Sequence, residues 1–242
     1  MSLTAILLVA AIGALIGAVG LGGFLMVPLL ALMEGTSVRE GIVVAAIAFL
    51  ASGVVSLLLF RRPLDEARTE RWFLLAAAPG AVAGAVAVQA SAEGVLSAVI
   101  VVAFAAAGLA EWLRLPRQMP PRRVNSTTAS AGGLVTGFAS ALTGTSGPMV
   151  AMPLLSWTGR ALRERVALAQ VVQIPIALGA TIAFASFGDV PWRLAAESSA
   201  ALCVGLVLGA RATRRLDTDL LRRLAALLMW GAAAAMLLRI LR

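Results

Sequence analysis

Long apolar stretches, separated by short connections that carry arginine, run through the whole sequence. Eight of them can be marked, at 3–33, 41–60, 72–89, 94–113, 129–157, 165–187, 193–210 and 220–240. A run of about 18 or more apolar residues is long enough to cross the roughly 30 Å hydrocarbon core of a bilayer as a helix. Aromatic rings are favoured at the membrane interface. Four of the five tryptophans stand at segment ends: Trp72, Trp112, Trp157 and Trp192. The pattern predicts an all-α polytopic membrane protein.

The composition supports this prediction and excludes several classes of function. Hydrophobic residues make up 60% of the 242-residue chain and charged residues only 13%, against about 25% charged in a typical soluble domain. The chain has no histidine and one cysteine. A histidine-based catalytic triad, an imidazole metal site and a cysteine-rich metal cluster are therefore excluded. We expect neither an enzyme nor a resident cofactor or metal.

The charge of the chain does not indicate a nucleic-acid partner. The net charge is +8, and every one of the 20 basic residues is an arginine. A protein that binds a polyanion gathers its basic residues on a solvated face, whereas these arginines interrupt apolar runs. No phosphate-binding loop pattern is present either, so any transport is expected to be secondary or passive.

The two halves of the chain resemble each other at an offset of 124 residues. The matching residues are Gly13, Gly20 and Gly23 with Gly137, Gly144 and Gly147, and the pair Arg39–Glu40 with Arg163–Glu164. A Pro-Leu-Leu sequence and a GxxxGA sequence also recur in both halves. Membrane transporters are often built from such repeats. We predict a first membrane repeat at 1–113, a basic cytoplasmic linker at 114–128 and a second membrane repeat at 129–242.

The distribution of the arginines predicts how the segments cross the membrane. Four lie between segments 2 and 3, four between segments 4 and 5, three between segments 5 and 6, and five after segment 7. If every segment crossed once, the arginines would divide almost evenly, although positive residues normally gather in cytoplasmic loops. If segment 5 instead enters and returns on the same side, sixteen of the twenty fall on one side. We therefore predict two inverted repeats, each a broken re-entrant helical segment followed by three transmembrane helices.

Glycine and proline interrupt both re-entrant segments near their middle. Segment 1 holds Gly20-Leu-Gly-Gly23 followed by Pro28, and segment 5 holds Thr143-Gly-Thr-Ser-Gly-Pro148. Such a break leaves unpaired N–H groups at the start of the following half-helix, and these groups with the helix dipole attract an anion. We expect a small anionic substrate to bind where the breaks meet. The candidate binding residues are Gly20, Gly22, Gly23, Thr143, Gly144, Thr145, Ser146, Gly147, Gln170 and Gln173.

Several of these polar and small residues also have structural interpretations. Glycines at helical spacing favour close helix packing over a binding role, and this interpretation is preferred for Gly80, Gly84, Gly205 and Gly209. The two glutamines either face a cavity or bond to a neighbouring helix. The two Arg-Glu pairs are typical of solvated helix starts, with ion pairs at a gate as the alternative.

At both breaks the sequence resembles the TauE/SafE family of sulfite exporter-like membrane permeases. The resemblance rests on Gly13-Ala-Leu-Ile-Gly-Ala-Val-Gly-Leu-Gly-Gly-Phe-Leu-Met-Val-Pro28 and on Gly133-Leu-Val-Thr-Gly-Phe-Ala-Ser-Ala-Leu-Thr-Gly-Thr-Ser-Gly-Pro-Met-Val-Ala-Met-Pro153. It covers essentially the whole chain, with its duplicated half and its seven to eight hydrophobic segments. The second copy departs from the usual Gly-x-Gly-Gly-Gly pattern, having Thr-Ser-Gly-Pro in its place. The resemblance implies a transporter of sulfite, sulfonates or related anions in the bacterial cytoplasmic (inner) membrane.

We therefore expect a secondary carrier of a small sulfur-containing oxyanion that works in the direction of export. One negative charge leaving an inside-negative cell gains about 2.3 kcal/mol per 100 mV, so export needs no strong coupling device. An anion channel, or an importer of another small organic or inorganic anion, is the alternative. The expected partners are the substrate and the lipid bilayer, and the oligomeric state stays open with a homodimer as one option.

Overall fold

The chain is all-helical wherever the structure describes it. The computed structural model describes residues 1–20, 22–59, 68–112, 125–156, 162–188, 190–212 and 218–240, and these ranges contain no strand. Their α-helices are α1 Leu3–Val19, α2 Met26–Met33, α3 Val38–Leu59, α4 Arg68–Ala90, α5 Glu93–Trp112, α6 Ser126–Thr143, α7 Gly147–Ser156, α8 Leu162–Phe187, α9 Trp192–Ala212 and α10 Thr218–Ile240. The predicted all-α fold is confirmed, and the inverted arrangement of two repeats stays a prediction. Most of the predicted linker 114–128 lies outside the described residues.

Each of the eight apolar segments coincides with a helix or with a helix pair. Among the described residues, four helical stretches are long and apolar enough to cross a membrane: Val38–Leu59, Arg71–Ala90, Leu168–Phe187 and Trp192–Ala212. The apolar parts of α1, of α2 with the turn before it, of α5 and of α10 are shorter. Trp72, Trp112 and Trp192 are exposed at helix ends, as expected of an interfacial belt, while Trp157 lies outside the described residues.

Glycine ends the first helix of both broken segments. Gly20, at φ 75°, terminates α1 and donates its N–H to the carbonyl of Ile16 over 2.8 Å. Gly144, at φ 61°, terminates α6 and donates to the carbonyl of Ser140. Glycine adopts the left-handed backbone conformation without steric strain, because it has no Cβ to clash with the following carbonyl. The two predicted breaks are confirmed, and they share the same local chemistry.

Glycine allows the helices of the pairs α1/α9 and α4/α6 to pack at backbone contact. A Cβ added to Gly205 of α9 would lie 1.8 Å from the carbonyl oxygen of Ala10 in α1. A Cβ added to Gly137 of α6 would lie 2.0 Å from the carbonyl oxygen of Ala77 in α4. The packing interpretation is confirmed, since the same close approach occurs at Gly80, Gly84 and Gly209. The 124-residue offset relates α1 to α6 and α4 to α9, so the pair α1/α9 is equivalent to the pair α6/α4.

The helices in each of these pairs run in the same direction. Along α1, Gly13 lies against Leu202 and Gly17 lies against Leu206, so residue numbers rise together in α1 and α9. Along α6, the contacts pass from Phe73 at Gly133 to Ala77 at Gly137. The start of α1 is therefore at the same end of the bundle as the start of α9, and α6 starts at the same end as α4.

Segment 1 begins and ends at one end of the bundle. The amide and the hydroxyl of Ser2, which caps α1, both donate to the carboxylate of Glu34 at the end of α2, each over 2.9 Å. These hydrogen bonds hold the pKa of Glu34 below its usual value, the Ser2 amide having the larger effect. The two ends of the broken segment are thus tied together.

The same end gathers the start of α3, the start of α5 and the end of α4. The Glu93 carboxylate accepts from the amides of Val38 over 2.9 Å and Arg39 over 3.3 Å, and it thereby caps α3. The Arg39 guanidinium donates to the carbonyl of Ser91 over 2.7 Å. The N-terminal ammonium pairs with Glu197 in α9. We call this the Glu93 end, and we call the opposite end, where Arg71 and Arg211 are exposed, the arginine end.

The first Arg-Glu pair lies at a helix start, where Glu40 is exposed and Arg39 is half-buried. The Glu40 carboxylate accepts from the Ser37 amide over 2.9 Å, and the Ser37 hydroxyl accepts from the Glu40 amide over 3.1 Å. This reciprocal arrangement is a capping box. The side chains of Arg163 and Glu164 lie outside the described residues, so the second pair stays a prediction.

Candidate functional site

The two breaks meet in the interior of the bundle. A Cβ added to Gly23, just after the first break, would lie 2.6 Å from Cβ of Ser146 in the second break. It would also lie 2.8 Å from Cζ of Phe49 in α3. Only a residue without a side chain fits there, because the ring and the serine already occupy the space. The contact supports the expectation that both breaks contribute to one site.

A pocket lies beside this contact, between α3, the second break and α8. It is narrow, with a cavity volume of about 10 Å³, which is room for about one water molecule. Its lining residues are all uncharged: Ile42, Ala46, Phe49, Ser140, Ala141, Gly144, Thr145, Gly147, Gln173, Ile176, Ala177 and Ala180. The polar atoms cluster at the second break and at Gln173, whereas α3 and the rest of α8 present apolar surface.

Two of the predicted hydroxyl donors are already engaged within the protein. The Thr143 hydroxyl donates to the carbonyl of Ala139 over 2.7 Å. The hydroxyls of Thr143 and Thr145 lie 2.9 Å apart. Because a hydroxyl has one proton to give, Thr145 is the donor in that pair. Neither hydroxyl therefore has a proton left for a ligand in this arrangement.

Gln173 bridges the second repeat to the first. Its amide nitrogen donates to the carbonyl of Phe49 and to the hydroxyl of Ser52, each over 3.0 Å. Its amide oxygen has no hydrogen-bond partner among the described residues, and Gln173 is only 1% exposed. The sequence left open whether Gln173 faces a cavity or bonds to a neighbouring helix, and it does both. Its amide nitrogen bonds to α3, and its amide oxygen is unpaired within the described structure beside the pocket.

The donors that remain free lie around the start of α7. Among the described contacts, the amides of Ser146 and Gly147 have no acceptor, and Pro148 has no N–H to offer. The hydroxyl of Ser140, which lines the pocket, is buried and has no partner in the part of the chain that the structure describes. Unpaired amides at a helix N-terminus, with the helix dipole behind them, form a site for a small anion. No cluster of residues able to hold a metal ion occurs within the described ranges.

The structure brings together some of the predicted site residues and separates others. Gly144, Thr145, Gly147 and Gln173 line the pocket, Ser146 touches Gly23, and Thr143 supports Thr145. Gly20 and Gly22 shape the first break without lining the pocket, and Gln170 lies one turn from Gln173 outside it. That these residues bind a substrate stays a prediction.

Sequence reasoning missed Phe49 and Ser140. Phe49 occupies the position that the 124-residue offset pairs with Gln173, and its carbonyl accepts from that same glutamine. The repeat contained this signal, but a phenylalanine in an apolar segment gives no sign of a role. Ser140 is one of many small residues in α6, and only its unpaired hydroxyl beside the pocket distinguishes it.

The comparisons with known proteins agree with the membrane fold. A family model described as sulfite exporter TauE/SafE matches residues 5–236. The searches of curated proteins and of solved structures give no match.

Proposed function

The chain belongs to the sulfite exporter TauE/SafE family, and on that premise we propose that it exports a small sulfur-containing anion. Members of this family are membrane transporters, so the chain is a multi-pass membrane protein. The proposed substrate is sulfite, a sulfonate or a related oxyanion, and the proposed location is the bacterial inner membrane. The substrate binds where the two breaks meet.

The free donors at the start of α7 are the observation on which this proposal depends. The amides of Ser146 and Gly147 and the hydroxyl of Ser140 surround a buried pocket and have no partner in the described structure. An unpaired buried donor costs about 1–3 kcal/mol, and an oxyanion that accepts from all three recovers this cost. The same three groups would not hold a cation.

The uncharged lining favours a singly charged substrate. None of the described residues that line the pocket carries a charge, so the proposed anion is balanced there by hydrogen bonds and the helix dipole. The cost of desolvating an ion rises with the square of its charge, and the Born cost is already of order 20 kcal/mol for a single charge moved into a medium of low dielectric. On these electrostatic grounds, hydrogen sulfite or a sulfonate is the favoured substrate, and sulfate is disfavoured.

The proposal includes an inverted arrangement of the two repeats. Segment 1 opens and closes at the Glu93 end. α4 ends at the Glu93 end and therefore starts at the arginine end. Because α6 runs parallel to α4, α6 starts at the arginine end too. The five residues between α7 and α8 reach about 22 Å at most, too short to cross the membrane core. Since α8 ends beside the start of α9, these contacts support a second re-entrant segment that opens from the arginine end.

Cysteine labelling tests this arrangement. In a variant with Cys203 replaced by serine, Ser156→Cys or Thr158→Cys is expected to react with an impermeant maleimide from the cytoplasmic side only, because the second segment returns there. Ala92→Cys, in the exposed turn between α4 and α5 at the Glu93 end, is the matched control and is expected to react from outside only. Labelling of position 156 or 158 from outside would contradict the inverted arrangement.

Thermal unfolding in detergent against a panel of anions tests the binding site. The panel holds sulfite, methanesulfonate, taurine, thiosulfate, sulfate, a carboxylate series and chloride at matched ionic strength. A ligand at about 100 times its Kd stabilises the folded state by about 2.7 kcal/mol, and we expect the singly charged sulfur oxyanions to produce the largest shift.

Two serine variants are the controls for this measurement. Ser140→Ala is expected to reduce the shift, because it removes one of the three free donors. Ser97→Ala, whose hydroxyl donates to a carbonyl within α5, is expected to leave it unchanged. A shift that Ser140→Ala does not alter would contradict the site, and a panel without any selective shift would contradict the substrate class.

The alternative function is an anion channel built around the same donors. A carrier and a channel would use the same pocket, but only a carrier changes conformation in every transport cycle. Flux that saturates with substrate and that shows countertransport of labelled against unlabelled sulfite is the expected result. Linear flux without countertransport would favour the channel.

A further inference from the structure

The orientation of the Gln173 amide is fixed by its two partners in α3. The carbonyl of Phe49 can only accept a hydrogen bond. The hydroxyl of Ser52 gives its one proton to that same carbonyl over 3.2 Å, so towards Gln173 it acts as an acceptor too. Both partners therefore require the amide nitrogen, which donates to each of them over 3.0 Å. The amide oxygen is left on the other side of the group, beside the pocket that Gln173 lines.

This amide oxygen is a buried acceptor that lacks a donor. Gln173 is 1% exposed, and its oxygen has no partner among the described residues. Buried polar groups in folded proteins are normally hydrogen-bonded, so an oxygen left unpaired beside a pocket points to a ligand that brings a hydrogen of its own. A bare oxyanion cannot fill this role, because it only accepts hydrogen bonds and would be repelled by the amide oxygen.

The pocket also presents a donor to the same ligand. The hydroxyl of Ser140 lines the pocket and is buried, and within the described ranges it is bonded neither to Gln173 nor to any other group. The pocket has room for about one water molecule. A group in this space accepts from Ser140 and donates to the Gln173 oxygen only if it does both, as a water molecule or a hydroxyl group does.

We propose that the amide oxygen of Gln173 accepts a hydrogen bond from an O–H group of the transported anion, and that it thereby selects a protonated oxyanion such as hydrogen sulfite. The S–OH group takes the water-sized position beside Ser140 and Gln173. The other oxygens of the anion accept from the amides at the start of α7, and the whole anion enters when the second break and α8 move apart in the transport cycle. This inference rests on the proposed function.

The uncharged lining and Gln173 respond to different properties of the substrate. The lining disfavours a second negative charge, but it does not distinguish hydrogen sulfite from an alkanesulfonate, since each carries a single charge. Gln173 distinguishes these two, because the oxygens of an alkanesulfonate carry no hydrogen. The transported species therefore brings its own proton, and each export event removes one proton from the cell together with the sulfite.

Two anions of the same charge and similar shape test this selection. Methanesulfonate and the monoanion of methylphosphonic acid both place a methyl group and oxygens around a tetrahedral centre, but only the phosphonate carries an O–H. Their dissociation constants are measured from the unfolding temperature of the wild-type protein in detergent, at mildly acidic pH, with sulfite titrated in parallel. We expect the phosphonate to bind about tenfold more tightly than methanesulfonate, a difference of about 1.4 kcal/mol.

The variant Gln173→Met separates a selective role from a structural one. It removes the acceptor, and it also removes the two hydrogen bonds to α3. The loss of this bridge weakens both anions alike, whereas the loss of the acceptor removes the preference for the phosphonate, so we expect the two affinities to become equal. Gln170→Met is the matched control, because Gln170 is a buried glutamine of α8 that does not line the pocket. It is expected to keep the wild-type preference.

Equal wild-type affinities for the two anions, or a preference that survives in Gln173→Met, would overturn the selective role of Gln173. The wild-type comparison needs no variant, so it decides the matter even where Gln173→Met does not fold. Sulfite that binds while the two test anions are bound equally leaves the proposed function standing without this selection. If neither sulfite nor any other anion of the panel binds to the wild type, the proposed function itself fails.

Discussion

Replacing Gly205 by leucine is expected to leave almost no folded protein in the membrane. Gly205 lies against the backbone of α1, where an added Cβ would be 1.8 Å from the carbonyl oxygen of Ala10 and 2.7 Å from its carbonyl carbon. Backbone atoms cannot turn aside as a side chain does, so α1 and α9 must separate. The expected loss of folding stability is larger than the roughly 1–3 kcal/mol that ordinary overpacking of a core causes.

The measurement is the yield of monodisperse protein after detergent extraction, compared with wild type. Gly231→Leu is the matched control, because Gly231 also lies within a helix but has no atom within 4 Å of an added Cβ. Wild-type yield is expected for Gly231→Leu. A Gly205→Leu variant that extracts as well as this control would contradict the backbone contact between α1 and α9.

Replacing Gly147 or Gly23 by leucine is expected to abolish transport without abolishing the fold. A Cβ on Gly147 would lie 3.2 Å from Cα of Gln173 and from Cδ1 of Ile176, and the longer side chain fills the pocket. A Cβ on Gly23 would lie 2.6 Å from Cβ of Ser146, so a side chain there displaces the second break and the donors at the start of α7.

Either substitution removes hydrogen bonds from the proposed anion. A hydrogen bond to a charged group contributes about 1.5–3 kcal/mol, so the loss of two weakens binding by about 100-fold or more. Sulfite flux in proteoliposomes is the measurement, with expression and unfolding temperature recorded in parallel. Gly94→Leu, on α5 with no atom within 4 Å of an added Cβ, is the control and is expected to transport normally. Normal flux in both site variants would refute the binding site.

The helices and their two breaks could be predicted from the sequence because they depend on local properties. The length of an apolar run determines whether a helix can cross a membrane. Glycine without a Cβ determines where α1 and α6 can end in a left-handed residue. The packing role of Gly80, Gly84, Gly205 and Gly209 followed from their four-residue spacing. In each case the relevant physical constraint acts within a few residues of the chain.

The state of the polar groups in the site could not be predicted in this way. From the sequence, Thr143 and Thr145 looked like free donors, but the fold directs the proton of Thr143 to Ala139 and that of Thr145 to Thr143. Ser140 looked unremarkable, yet its hydroxyl is the one left unpaired beside the pocket. Whether a hydroxyl is free depends on acceptors that only the folded chain brings near.

Contacts between helices that are distant in the sequence could not be predicted from it either. Glu93 stood at a segment end in the sequence, and the structure shows that its carboxylate caps α3, 55 residues away. The pairing of Gln173 with Phe49 across 124 residues is of this kind too.

The sequence by itself determined that this is a helical membrane protein with a break in segment 1 and in segment 5, because hydrophobic length, glycine and proline act locally. The division into two duplicated halves stays a prediction. The tertiary structure alone decided that Gly23 meets Ser146 and which donors stay free. These features depend on which helices face each other at backbone contact, and that is set by the packing of the whole bundle and not by any single segment.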